Sequence, residues 1–138
     1  MFGLYVMKEK LHLLCALAVI VSILSGCAAL SGVPEGSVLV AVYDGSFTGK
    51  FFWGNIQVKV YEAPGGLRPV FGRIEQEAEP GAYQNFKGAI KGSRFEGQFT
   101  VANGNISGEL SADGALLTGV YNFTDWPFDH GTWNAKKK

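Results

Sequence analysis

The sequence predicts an all-β fold, a small antiparallel meander β-barrel of about eight or nine strands. From Ser37 onward no window holds apolar residues at a sustained helical spacing, whereas alternation of apolar and polar residues recurs. A short unit, apolar-x-Gly-x-apolar, is repeated along the same region. Turn-forming pairs such as Asn103-Gly104 and Asp113-Gly114 separate its later copies, as expected for short strands joined by tight turns.

Residues 1–26 have the three-part pattern of a secretory signal. Lys8 and Lys10 form a basic start, and the apolar run from Leu11 to Leu24 is followed by small residues. This run is shorter than the roughly 20 apolar residues that a transmembrane helix requires. We therefore expect a signal helix that is cleaved from the chain before the barrel domain.

The stretch Leu24-Ser25-Gly26-Cys27 resembles the lipobox of bacterial lipoproteins. The resemblance implies that Leu24, Ser25 and Gly26 are the recognition residues and that the chain is cut directly before Cys27. It also implies that the Cys27 thiol carries a diacylglyceryl group and that the new amino terminus is usually acylated. Ala28 is not an aspartate, which in Gram-negative lipoproteins implies transfer to the outer membrane. The expected location is therefore the bacterial cell envelope, with the membrane as a partner through the lipid on Cys27.

The remaining chain divides into a tether and one domain. Residues 27–36 are small and turn-prone and predict a lipidated flexible tether. Residues 37–138 predict a single β-barrel domain, in which basic and acidic residues nearly balance, so that no overall charge attracts nucleic acid. Both cysteines, Cys15 and Cys27, precede this domain, which excludes a disulfide, a cysteine-based metal site or a cysteine nucleophile within it.

Two runs predict the first strands of the domain. The apolar run 38–43 indicates a strand that is covered on both faces or that closes the structure, and 56–61 alternates with Ile56, Val58 and Val60 on one face. Because strand side chains alternate with period two, each later glycine shares a face with its apolar neighbours. The repeated units are Phe47-Gly49-Phe51, Val70-Gly72-Ile74, Phe86-Gly88-Ile90, Phe95-Gly97-Phe99, Ile106-Gly108-Leu110 and Leu117-Gly119-Tyr121, with a looser copy at Gly131 and Trp133.

These glycines have three interpretations. They allow the sheet to curve and close, they are covered by neighbouring aromatic rings, or they leave space for a small ligand. The many aromatic residues on the same face favour a filled interior, because each ring buries on the order of 150 to 250 Å². A ligand cavity bounded by Gly49, Gly97, Gly108 and Gly119 remains the alternative.

Two fragments resemble strands of the avidin and streptavidin meander barrels. They are Asp113-Gly114-Ala115-Leu116-Leu117-Thr118-Gly119-Val120-Tyr121 and Gly45-Ser46-Phe47-Thr48-Gly49-Lys50-Phe51, and Gly131-Thr132-Trp133 is similar. The resemblance implies an avidin-like or lipocalin-like barrel architecture. It implies no ligand site, because the order of elements that places biotin contacts is not recognisable.

The densest cluster of polar and aromatic residues is 125–130, which we predict to be a loop between the last two strands. Its candidate recognition residues are Asp125, Trp126, Phe128, Asp129 and His130. A single histidine supplies no pair of metal ligands, and the chain has no nucleophile elbow and no phosphate-binding loop. We therefore predict no catalytic residue, no metal site and no cofactor.

The chain contains one run of glutamates and one run of lysines, and we interpret both as solvent-exposed structural features. Glu75, Glu77 and Glu79 recur at every second residue, and we interpret them as a solvated strand edge in preference to a cation-binding stripe. The lysines 136–138 are interpreted as a solvated tail in preference to a membrane-binding patch.

Together these patterns predict a lipid-anchored envelope lipoprotein that is not an enzyme and has a non-catalytic binding or structural role. One alternative is a carrier of a small apolar or aromatic ligand inside the barrel. Another is an inhibitor of an envelope-directed hydrolase, presented through the 125–130 loop. The partner, an envelope protein or a small ligand, is not identified by the sequence, and no nucleic-acid partner is expected.

Overall fold

A computed structural model describes residues 32–138, which contain eight antiparallel strands closed into a barrel in chain order. The all-β meander barrel predicted from the sequence is confirmed, with eight strands. The predicted signal helix and the residues Leu24 to Cys27 lie outside the described residues. The strands are β1 (Val38–Gly49), β2 (Trp53–Glu62), β3 (Pro69–Gln76), β4 (Tyr83–Lys91), β5 (Arg94–Phe99), β6 (Gly104–Leu110), β7 (Leu116–Phe123) and β8 (His130–Lys137).

The first strand closes the barrel. Residues 43–49 of β1 pair with residues 131–137 of β8, while residues 38–48 of β1 pair with β2 around an irregularity between Leu39 and Ala41. Closure was one of the two interpretations of the apolar run 38–43. The other, cover on both faces, is wrong for Val38, Leu39 and Val40, which are exposed.

The strand edge proposed for the glutamate run is not found in the structure. Glu75 lies in β3, which pairs with β2 on one side and β4 on the other, so its strand is not an edge. Glu77 and Glu79 lie in the turn after β3 and are exposed. The edge interpretation is therefore wrong, because β3 is an inner strand of the meander, and a local charge pattern does not show which strands flank it.

The inward side chains fill the barrel. The Trp133 indole N–H donates to the carbonyl oxygens of Ser107 and Val120, at 3.2 and 3.3 Å, which satisfies the polar atom of the largest buried side chain. Burial of the inward apolar side chains is the main contribution to the stability of the barrel. The buried apolar residues are Tyr43, Phe47, Ile56, Val58, Val60, Val70, Ile74, Phe86, Ile90, Phe95, Phe99, Ile106, Leu117, Tyr121, Phe123, Trp133 and Ala135.

The repeated glycines allow rings and backbone to approach closely. A Cβ on Gly108 would lie 2.7 Å from the Trp133 ring, and a Cβ on Gly72 would overlap with Phe86. The predicted covering of glycines by aromatic rings is therefore confirmed. Phe51 is the exception to the predicted inward pattern: it is exposed in the turn after β1, because the strand ends at Gly49.

The meander order gives the barrel two different ends. The aromatic end consists of the connecting segments 50–52, 77–82, 100–103 and 124–129, together with the first residues of β2 and β4. The basic end consists of segments 63–68, 92–93 and 111–115, the start of β1 and the end of β8. Within residues 32–138 there is no helix with the length and apolar character needed to cross a membrane.

Candidate functional site

Five aromatic side chains are exposed at the aromatic end. Phe51 lies between β1 and β2, Trp53 begins β2, Tyr83 begins β4, and Trp126 and Phe128 lie between β7 and β8. Trp126 is the most exposed of the five, at 74%. Exposed aromatic residues gathered at one end of a small protein are typical of an interaction surface.

Hydrogen bonds to Asp125 hold the 124–129 segment in place. The Asp125 carboxylate accepts the Trp126 backbone N–H at 2.7 Å and the Asn103 side-chain N–H at 3.3 Å, and the Asp125 carbonyl accepts the Phe128 N–H at 2.7 Å. The Thr124 N–H donates to the Asn103 carbonyl at 2.8 Å. These hydrogen bonds hold the predicted loop in a conformation in which Trp126 and Phe128 are exposed to solvent.

Asp129 differs from the other predicted loop residues because it is buried, with 1% of its surface exposed. The Tyr121 hydroxyl donates to its Oδ2 at 2.6 Å, and the Phe51 backbone N–H donates to its Oδ1 at 2.9 Å. Gly49 is needed beside it, since a Cβ there would overlap with the Asp129 carboxylate and the Tyr121 hydroxyl. Asp129 therefore ties the β7–β8 loop to the β1–β2 turn.

The buried pair also changes the acidity of its phenol. Burial, followed by the hydrogen bond to the Asp129 carboxylate, raises the pKa of Tyr121 far above its ordinary value. The hydroxyl therefore remains a donor throughout the physiological pH range. His130, the first residue of β8, is exposed, and its carbonyl accepts the Lys50 N–H at 3.0 Å.

Phe128 has an unusual backbone. Its φ of 56° lies in the left-handed region that bulky residues rarely adopt, and its side chain is 59% exposed. The backbone conformation costs free energy, and the exposed ring recovers little of it by burial. The conformation therefore exposes the Phe128 ring at the surface and adds little to the packing of the barrel.

A cavity of about 60 Å³ lies at the aromatic end, beneath the loop. Phe47, Phe52 and Phe123 form apolar walls, and Asp129 and Gln84 contribute polar atoms. Liquid water occupies about 30 Å³ per molecule, so the space suits a group of only a few heavy atoms.

The larger cavity that a carrier requires is absent at the four glycines expected to bound it. The space beside Gly49 holds Asp129 and Tyr121, that beside Gly97 holds the Phe95 ring, and that beside Gly108 holds the Trp133 ring. At Gly119 the neighbouring backbone of Ser107 leaves no room for a side chain.

The connecting segments of the aromatic end are acidic. They contain Glu77, Glu79, Asp125 and Asp129 against the single cation Lys50, whose ammonium lies 5.3 Å from the centre of the Phe51 ring. The basic end has the opposite character, with Arg68 and the lysines 136–138 against Asp113. Within residues 32–138 no three His, Cys, Asp or Glu side chains gather as a potential metal site.

Sequence reasoning missed three exposed rings of this surface, Phe51, Trp53 and Tyr83. The run Phe51-Phe52-Trp53 contained a usable signal, because three consecutive aromatic residues cannot all face the interior of a strand. Tyr83 follows a turn and gave no comparable signal. Comparison with known proteins assigns no family: no protein-family model matches the chain, and neither does any curated protein.

Proposed function

We propose that this chain is a lipid-anchored lipoprotein of the bacterial cell envelope, whose barrel binds a protein partner without catalysing a reaction. The proposal rests chiefly on the exposed aromatic residues at the end of the barrel opposite the start of β1. The lipobox-like stretch Leu24-Ser25-Gly26-Cys27 supports the anchor and the location. In a Gram-negative source, Ala28 favours the outer membrane.

The acidic segments favour a protein over a lipid bilayer as the occupant of the aromatic end. Aromatic side chains are enriched both at protein interfaces and at membrane surfaces. Carboxylates such as Glu77, Glu79 and Asp125 are repelled by anionic leaflets, whereas they attract a cationic protein surface. The filled space beside the interior glycines speaks against the carrier alternative.

Inhibition of an envelope-directed hydrolase is the second candidate. It is favoured by one observation, the exposure of Trp126 and Phe128 on a single loop. If this candidate holds, the full chain slows the digestion of purified cell wall by the target hydrolase, and Trp126→Ala relieves the inhibition. Equal inhibition by the Trp126→Ala and Val120→Ala variants would argue against the loop.

The anchor is tested by mass spectrometry of the chain extracted from membranes. The expected result is acyl mass on Cys27 at the mature amino terminus, and release of a Cys27→Ser variant from the membrane fraction. An unmodified mature terminus elsewhere in the chain would contradict lipidation.

The binding role is tested by photo-crosslinking in living cells, with the photoreactive residue at position 128. Position 120 is the matched control, since Val120 is also exposed but lies in the barrel wall. We expect an adduct from position 128 alone, and weaker binding of the purified captured protein by Trp126→Ala than by Val120→Ala. Equal effects of the two alanine variants would refute binding at the aromatic end.

A further inference from the structure

We propose that the cavity at the aromatic end is a binding site for a primary ammonium group carried on an apolar stem. The inference rests on the proposed binding function and adds the chemistry of what is bound. A lysine side chain of the protein partner and a free small amine both present this group. The experiments below distinguish the two sources.

Asp129 is a buried acidic residue without a cationic partner among residues 32–138. The residue is 99% buried, and the donors of the two hydrogen bonds to its carboxylate, the Tyr121 hydroxyl and the Phe51 backbone N–H, are neutral. Among residues 32–138 no salt bridge reaches it. Burial of an ionised carboxylate is costly without a cation, and each carboxylate oxygen can accept a further hydrogen bond. A cation placed in the cavity would therefore be attracted strongly.

The size and lining of the cavity suit an ammonium group on an apolar stem. Asp129 shares it with the Phe47, Phe52 and Phe123 rings, which suit both a methylene stem and a cation near their faces. Gln76 and Gln84 also line it and bring side-chain amides whose oxygens can accept ammonium protons. At about 60 Å³, the space favours a compact ammonium over a planar guanidinium.

Residues that line the cavity lie next to the exposed rings of the aromatic end. Pro127 lines the cavity and stands between the two exposed rings Trp126 and Phe128, and Phe52 lines it next to exposed Phe51. A partner surface resting on these rings would have the cavity within reach of one long side chain. The surrounding carboxylates would steer a cationic surface towards this end.

The inference is tested by an NMR titration of the full chain in detergent micelles. The ligand is n-butylammonium, the neutral control of similar shape is n-butanol, and the signal is the Phe51 amide that donates to Asp129. We expect a saturable shift with the amine at concentrations below about 100 mM, and affinity for the alcohol at least about tenfold weaker. An equal response to both compounds, or no saturable response to the amine, overturns the proposal.

Variants locate the site. Asp129→Asn removes the charge and should weaken amine binding by about tenfold or more. Ala82→Phe adds a ring where Ala82 lines the cavity and should abolish amine binding while leaving Asp129 in place. Ala89→Phe, on the exposed face of β4, is the matched control and should bind as the parent chain does. If Asp129→Asn fails to fold, Ala82→Phe still decides, since unchanged amine binding in that variant refutes the site.

Competition separates the two sources of the ammonium group. If n-butylammonium displaces the protein captured from position 128, a lysine of the partner occupies the cavity; if the amine binds without displacing it, the ligand is a free amine. If n-butylammonium does not bind, the ammonium site is refuted. Loss of binding of the captured protein in the Trp126→Ala variant would still support the protein-binding function. Amine binding without any partner at position 128 would instead contradict the protein-binding function alone.

Discussion

Phe128 combines a left-handed backbone conformation with an exposed ring. Glycine adopts this conformation without the steric cost, so Phe128→Gly should leave the free energy of unfolding unchanged or raise it by up to about 1 kcal/mol. The same change should weaken binding of the proposed protein partner at the aromatic end. Urea denaturation measures the first effect. A loss of stability above about 1 kcal/mol would show that the ring stabilises the barrel instead.

Tyr121 gives the barrel a sensitivity to alkaline pH. Its pKa in the folded state is raised above the ordinary value of 10.0 by burial and by Asp129, so the unfolded chain releases the proton first. Stability is therefore fully present below about pH 10 and decreases as the pH rises above it. Burial raises the pKa of Tyr43 in the same direction.

Tyr121→Phe should accordingly lessen the alkaline loss of stability without removing it, because Tyr43 still contributes. Near pH 7 the variant should be less stable by about 1 to 3 kcal/mol, since Asp129 loses one of its two donors. Denaturant unfolding at pH 7 and at several values above pH 10 measures both effects. An unchanged alkaline slope would show that Tyr121 does not titrate differently in the folded and unfolded states.

At the candidate site, the sequence predicts the exposure of some residues but not the burial of Asp129. The exposure of Trp126 and Phe128 follows from their place in a short loop beside Pro127, which is local information. The burial of Asp129 depends on Phe51, 78 residues away in sequence, and on the absence of a side chain at Gly49. No local pattern contains such a contact.

At the scale of elements, the pairing of β1 with β8 determines whether the sheet is closed. Gly45 lies at this seam opposite Ala135, and a Cβ on Gly45 would overlap with the Asn134 carbonyl. Gly45→Ala should therefore lower the free energy of unfolding by roughly 1 to 3 kcal/mol and increase aggregation, as two strand edges separate. Thermal unfolding and light scattering measure these effects.

Ser46→Ala is the matched control for the seam, because Ser46 is the adjacent residue of β1 and its side chain is exposed. It should be neutral within about 0.5 kcal/mol. Equal effects of the two substitutions would show that close backbone approach at Gly45 does not limit closure.

The strands themselves could be predicted because their signals are local. Alternation located β2, and the turn predicted at Asp113-Gly114 was correct, since Gly114 has a φ angle of 73°. The turn predicted at Asn103-Gly104 is formed instead by residues 100–103, and Gly104 is already the first residue of β6. Closure of β1 on β8 stayed one of two interpretations, since pairing between the first and last strands leaves no mark in either segment alone.

At the scale of the whole molecule, charge is distributed along the barrel axis. The segments of the aromatic end carry an excess of carboxylates, while Arg68 and the lysines 136–138 lie at the other end, with one lysine, Lys138, bonded to Asp44 at 2.9 Å. The chain enters β1 at the basic end. If Cys27 is lipidated as we propose, the tether joins the barrel domain at this end, and each exposed lysine or arginine near an anionic surface adds about 1 kcal/mol of attraction.

This arrangement predicts an orientation for the lipidated chain on anionic vesicles. A fluorophore on Ala112→Cys, at the basic end, should transfer energy to labelled lipid more efficiently than one on Val101→Cys, at the aromatic end. The difference should shrink when the vesicles are zwitterionic or the ionic strength is about 1 M, because screening then leaves only the tether to orient the barrel. Equal transfer from both positions on anionic vesicles would mean that the barrel turns freely. The aromatic end would then have no preferred direction relative to the membrane, and the charge difference between the two ends would not orient the barrel.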